Sequence, residues 1–392
     1  MGKKGVRFAA ALFAAIIWTA RTASAAECNV SDLERALEAN PDSVSARLAL
    51  ARTYQACGRF AEANILFDTV LRLENLPPDM AMQSEIYAEA AERYLEHDEG
   101  REGVLVGFDY IEAGIGGYSV TSLPDSGVSK PSELMYIGNL AGALSYLFPS
   151  GYALSGSLLY EGAIYDSSTT RNDSDLRARL GVSRAIGEGN IELALRGRMT
   201  YIGEGDYRHD YGVSLDWNRA LDAENEIALG VFVRRRDYPS GPLEERTRTI
   251  ADASATWTRA LADGAASFSL GIHGGYHYAT RRPDGNSGFY GASMRLDWQL
   301  IEHLGADFSA FWEDNRFNTD HIHFHPDTLD EAYILRRQDR LYELEAGLTW
   351  ELAPTWAIRP RVYYVHDNSN LDDFHYGSVE YWVSVRKSFA LD

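Results

Sequence analysis

The residues with the most chemical potential in this sequence are arginines and carboxylates spaced two apart. Arg177 and Arg179, Arg196 and Arg198, Arg234 and Arg236, and Arg359 and Arg361 each form an R-x-R pair, and Arg295 and Asp297 form R-x-D. That spacing puts both side chains on one face of an extended chain. Glu192, Asp216, Asp297, Glu343 and Glu345 fall on the same kind of polar face. Such faces hold ion-paired ladders, and if they line a channel they shape what passes through it. His321, His323 and His325 form H-x-H-x-H. On a strand they would share one face, which suits a metal. They fall, however, in a long polar stretch where a solvated cluster is the expectation, so no metal ligand is assigned. His273 and His277 sit on a polar strand face and read as lining residues. No serine or histidine motif forms a nucleophile–base set. No enzyme activity and no cofactor are therefore expected.

These residues must be positioned by strands. From about Val104 to Phe389 the sequence alternates apolar and polar residues between turns. Ile191, Leu193, Leu195, Met199 and Tyr201 oppose Glu192, Arg196, Arg198 and Thr200. Tyr211, Val213, Leu215 and Trp217 oppose Ser214, Asp216 and Asn218, and Ile227, Leu229, Val231 and Val233 oppose Glu226, Arg234 and Arg236. The pattern recurs with Tyr290, Met294, Leu296, Trp298 and Leu300 against Ser293, Arg295, Asp297 and Gln299. It closes with Val379, Tyr381, Val383 and Val385 against Ser378, Glu380, Ser384 and Arg386. A soluble sandwich puts the apolar face inward and a membrane barrel puts it toward lipid, so periodicity alone does not choose.

Four features favour the barrel. Aromatics such as Tyr201, Tyr211, Trp217, Tyr290, Trp298 and Trp350 sit near the ends of the apolar faces, as interfacial girdles do. Tight turns are expected near Pro149-Ser150, Gly187-Glu188, Asp222-Ala223, Asp263-Gly264, Ile301-Glu302 and Ala353-Pro354. Longer loops are expected near Ser167–Arg171, Gly203–Asp206, Pro239–Glu245, Arg281–Ser287, Asn318–Tyr333 and Asp367–Asp373, with a further one from about Glu112 to Ser132. The strands are long for a sandwich, roughly 12–16 residues against a usual 5–6. The fourth feature is an export signal: Lys3, Lys4 and Arg7, an apolar run from Phe8 to Ala20, and Ala23-Ser24-Ala25 as a cleavage site. The tight turns pair the strands into about fourteen, an even number, with both barrel ends on the short-turn, periplasmic side. The fold expected is α + β in series: a signal peptide over 1–25, a small periplasmic helical domain over 26–100, and an antiparallel outer-membrane β-barrel of about 14 strands over 101–392.

The formal charge of −20 falls to about −24 when the leader's four basic residues (Lys3, Lys4, Arg7, Arg21) leave. That excludes a nucleic-acid binder, which needs a basic footprint. Between signal and barrel, Leu50, Ala51, Tyr54, Gly58, Ala63 and Phe67 match the spacing of a tetratricopeptide repeat, closed by Pro77 and Pro78. Small residues permit close helix contact there, while Tyr54 and Phe67 fill the gap between helices. Flanking helical patterns near Asp32–Ala39 and Met80–Leu95 would cap it. Such a module is most often a partner-binding surface; the alternative is a plug or spacer. Cys28 and Cys57 fall at the start of one expected helix and the end of its antiparallel neighbour, so a disulfide is expected in an oxidising periplasm; two unpaired thiols are the alternative.

A helical-repeat module ahead of a barrel of about fourteen strands resembles the surface lipoprotein assembly modifier family. The tail carries the resemblance furthest: Asp367-Asn368-Ser369-Asn370, Tyr376, Val383, Val385 and Arg386-Lys387-Ser388-Phe389. The family usually has more repeats, and here the final aromatic, Phe389, is followed by Ala390-Leu391-Asp392. The resemblance implies a translocon that assists passage or display of lipoproteins at the cell surface. Its partners would be outer-membrane lipids, a client lipoprotein, a periplasmic chaperone and the outer-membrane assembly machinery. The rivals are an exopolysaccharide export channel with a helical-repeat domain, and a general porin or adhesin.

Overall fold

The computed structural model describes the strands and most of their joints between Val104 and Ala390, together with individual helical positions between Glu34 and Phe67. The fourteen strands run β1 (Val104–Ser122), β2 (Ser132–Leu147), β3 (Tyr152–Tyr165), β4 (Asp173–Ile186), β5 (Gly189–Ile202), β6 (Gly205–Ala220) and β7 (Asn225–Asp237). They continue as β8 (Arg248–Leu261), β9 (Ala266–Ala279), β10 (Ser287–Ile301), β11 (Leu304–His325), β12 (Thr328–Ala353), β13 (Trp356–Ser369) and β14 (Tyr376–Ala390). Each pairs antiparallel with its sequence neighbour, and β1 pairs with β14, so the sheet is a closed barrel with no free edge. Within the barrel wall closure pairs each strand on both sides, which is what a bilayer demands of a strand protein, while the ends of β11 past Phe317 and of β12 before Asp339 ladder only with each other.

The barrel is inverted relative to a soluble domain. Leu195, Leu215, Val231, Leu270, Ile272, Trp298, Leu344, Val383 and many like them are exposed on its outer face. The buried positions are rich in polar groups instead, with Glu112, Asp175, Asp210, Ser214, Arg359, Ser378 and Ser384 among them. An apolar exterior of this extent is a surface for lipid. Exposed aromatics mark both ends of the band, including Tyr211, Tyr290, Trp298, Tyr342, Trp350 and Trp356. Among the described residues no helix is long and apolar enough to cross a membrane.

All six expected tight turns fall between consecutive strands. Three expected loops are shorter than expected. β1 runs 19 residues, through Glu112 and on to Ser122, so the first loop is shorter than expected and Glu112 lies within a strand. The stretch from Asn318 to Tyr333 is mostly strand: β11 has 22 residues and β12 has 26, and they meet as a tall hairpin. His321, His323 and His325 therefore have extended backbone rather than loop structure. β5 and β6 are joined as tightly as the short-turn pairs, with a register shift between Thr200 and Tyr201 and Gly203 at a φ of 62°. A positive φ there is cheap for glycine alone.

In the helical region Leu50, Ala51, Tyr54, Ala63 and Phe67 are all buried, and the Tyr54 hydroxyl donates to Glu34 Oε1 at 2.6 Å. The repeat spacing thus marks packed positions. Gly58, Cys28 and Cys57 lie outside the described residues, as does the expected signal peptide.

Candidate functional site in the barrel lumen

The arginines that stood out in the sequence converge on one wall. Strands β4 and β5 set Arg177 directly opposite Arg198, and Arg179 directly opposite Arg196. Like charges directly opposite across a strand pair destabilise a sheet. Carboxylates from adjacent strands compensate. Arg177 reaches Glu161 on β3 and Asp175 on β4, both at 2.9 Å. Arg198 donates to Asp175 Oδ1 at 2.7 Å. Arg179 meets Glu192 and Arg196 meets Asp216, each at 2.7 Å. The wall continues with Arg234 to Asp252 at 3.3 Å and Arg236 to Asp210 at 2.9 Å. Phe232 sits between Arg196 and Arg234, with guanidinium carbons 5.4 and 4.8 Å from its ring centre. Arg177, Arg179, Arg196, Arg198, Asp210 and Phe232 line a recess of about 320 Å³.

The facing side is built differently. Strands β8 to β13 line a recess of about 390 Å³ with Thr256, Ser269, Ser293, Ser309, Glu343 and Glu345 among its residues. Arg295 and Asp297 border this side and pair with each other at 2.6 Å. Arg361 binds Asp307 at 2.9 Å and also pairs with Glu345. His273 stacks on Phe311 at 5.0 Å and meets Glu313 at 3.2 Å, two strands away. It can do so because Gly291 lies between them: a Cβ there would come within 2.6 Å of His273 Nε2. His277 is buried and bonds Ser287 at 2.9 Å.

A third cluster locks the closing pair of strands. Glu112 on β1 accepts from Arg386 on β14 at 2.8 and 3.0 Å, from Ser384 at 2.5 Å, and from Arg359 on β13 at 2.7 Å. Arg386 also lies 3.8 Å over the Tyr110 ring. Gly114 makes room: its Cβ would sit 2.8 Å from the Ser384 Cβ.

Arg177, Arg179, Arg196, Arg198, Arg234, Arg236, Arg295, Asp216 and Asp297 thus all lie on the face opposite the exposed apolar band, with carboxylate or guanidinium partners. The first six and Asp216 form one wall; Arg295 and Asp297 stand apart from them. Sequence reasoning missed Glu112, Glu161, Asp175, Asp210, Asp252 and Glu313. The signal for Glu112 was present in Ile111, Ala113 and Ile115 flanking it, but Gly114, Gly116 and Gly117 hide the period. Among the described residues no group of three or more His, Cys, Asp or Glu side chains is placed to hold a metal ion.

Residues 23–83 match the tetratricopeptide repeat family. No curated protein matches the chain. Its barrel is similar to solved structures at low identity. One is OmpT, an outer membrane protein of Vibrio cholerae, at 7% identity and a TM-score of 0.43 over 73% of this chain and 98% of that one. Another is a TodX monoaromatic hydrocarbon channel, at 11% identity and a TM-score of 0.42 over 74% and 91%. A third is an anion-selective porin from Comamonas acidovorans, at 8% identity and a TM-score of 0.39 over 74% and 100%.

Proposed function

We propose that this protein is an outer-membrane β-barrel that assists translocation or display of lipoproteins at the cell surface, with its tetratricopeptide module in the periplasm. The observation that carries this reading is the order of parts. A tetratricopeptide match over residues 23–83 immediately precedes a closed barrel whose first strand starts at the rim bearing most of the tight turns. In membrane barrels that rim faces the periplasm. The module then stands where a client or chaperone arrives, and Tyr54, Ala63 and Phe67 hold its helices in register for contact. The barrel supplies a polar interior or a lipid-facing wall for passage or insertion. No covalent chemistry and no cofactor enter this reading.

Deleting the gene tests it. Protease shaving of intact cells should then show loss of a surface lipoprotein while its total amount is unchanged. Retained surface lipoproteins with lost exopolysaccharide would instead favour an export channel. A second reading, a solute channel, draws on the half-exposed arginines of the β4–β7 wall. Steady single-channel conductance with neither surface defect would favour it.

A further inference from the structure

The outer face of the barrel carries charge in one sector that its apolar band does not explain. On β11 and β12, Trp312 and Tyr342 pair in register as an aromatic row at the long-loop end, and Tyr290 on β10, in register with Asp314, brings its ring to 5.6 Å from that of Trp312. On the same outward face the next rows are Asp314 with Arg340, Arg316 with Gln338, and, past a register shift, Asp320 with Arg336. The side chains of Arg316, Arg340 and Arg336 are 62%, 50% and 70% exposed, while that of Asp314 is 2% exposed. Asp314 is consumed from beneath: it accepts from Arg316 at 2.7 Å and Gln338 at 2.6 Å, and lies 3.5 Å from Arg340. Arg316 is further fixed by the Tyr290 hydroxyl at 2.9 Å, and Arg336 by Asp320 at 2.7 Å. Among the described residues, the outward charge in this sector is three guanidiniums against two carboxylates, and Asp314 is shared between Arg316 and Arg340. By contrast, Arg235 on the outer face of β7 is matched one to one by Asp237 at 2.8 Å.

Height identifies what these arginines meet. Two residues along a strand tilted about 40° rise about 5 Å along the barrel axis. Arg340 thus stands about 5 Å and Arg316 about 10 Å beyond the aromatic row, within the headgroup layer outside the hydrocarbon. A guanidinium on a lipid-facing wall at that depth has phosphate as its natural partner, held bidentately. We propose that Arg316, Arg336 and Arg340 form a binding site for the phosphorylated headgroup of an outer-leaflet lipid. This rests on the orientation given above, with the long β11–β12 hairpin outside the cell.

The test uses the full-length folded protein in detergent, with bis-phosphorylated lipid A as probe and native mass spectrometry as readout. The triple variant Arg316→Gln, Arg336→Gln, Arg340→Gln should bind it at least about tenfold more weakly than the wild type. Lipid A stripped of its phosphates should bind the two proteins equally. Excess inorganic phosphate should not displace the intact lipid. Arg336→Gln alone gives a partial loss, and serves if the triple variant does not fold. Equal affinity of wild type and variant for bis-phosphorylated lipid A overturns the site, and full displacement by inorganic phosphate overturns its assignment to a lipid. Orientation is read separately by Thr328→Cys on intact cells with a membrane-impermeant thiol reagent. Absent labelling overturns the orientation, whereas labelling together with equal lipid affinity overturns the lipid site alone.

Discussion

Two ionic clusters inside this barrel use the same side chains for different ends. On the β4–β5 part of the wall Arg177, Arg196 and Arg198 are 45%, 37% and 37% exposed. At the β1–β14 seam Arg359 is 11% exposed, and Glu112 is sealed beneath it. Exposed ion pairs gain little Coulomb energy in water and exchange partners readily. Sealed ones have already lost their hydration, so removing one partner strands a charge. The first arrangement suits contact with passing ions or polar segments. The second suits holding two distant strands together. Exposure, not residue type, separates a working surface from a clasp.

The largest effect is expected of Glu112→Gln. It leaves the buried Arg359 and the half-buried Arg386 without their shared carboxylate and should cost about 3 kcal/mol. The measurement is the urea midpoint of the heat-modifiable band on a gel, and a wild-type midpoint would end the claim of a clasp. His273→Ala comes next. It removes the Phe311 stack and the Glu313 contact and should cost about 1–2 kcal/mol in the same assay. Arg198→Gln should cost at most about 1 kcal/mol, because Arg198 is 37% exposed and Asp175 keeps Arg177 and Thr200 as partners. Its effect should appear in planar bilayers, where any open-channel reversal potential moves toward cation preference. A destabilisation as large as that of Glu112→Gln would erase the distinction between the two clusters. Arg295→Gln should be smallest, within about 0.5 kcal/mol of wild type, since its own neighbour Asp297 on the same strand is its partner.

Much of this was legible because a strand that separates lipid from a wet interior must alternate without interruption. Ile191 to Tyr201 and Tyr290 to Leu300 could be assigned to faces residue by residue, and the short turns followed. The signal failed where side chains stopped marking a face. In β1 the glycines at 114, 116 and 117 remove it. In the β11–β12 hairpin, above the hydrocarbon, both faces are free to be polar, so Asn318, Asp320 and His321 read as loop. The seam was invisible for a topological reason: Glu112 and Arg386 are 274 positions apart, and only closure brings them together. The helical repeat was legible through small and aromatic residues at fixed spacing, and Leu50, Ala51, Tyr54, Ala63 and Phe67 are buried accordingly. How the wall at β4–β7 is neutralised was not legible, since Glu161, Asp175 and Asp210 come from strands whose neighbours only the register defines.

The pairing of β1 with β14 also sets a clock on biogenesis. The ribosome makes Glu112 early and its guanidinium partner Arg386 last, so no nascent intermediate can complete the clasp. Until the last strand arrives, every precursor presents two raw sheet edges that invite aggregation. A premature stop before Tyr376 removes β14 altogether, and with it the only strand that joins β1 to β13.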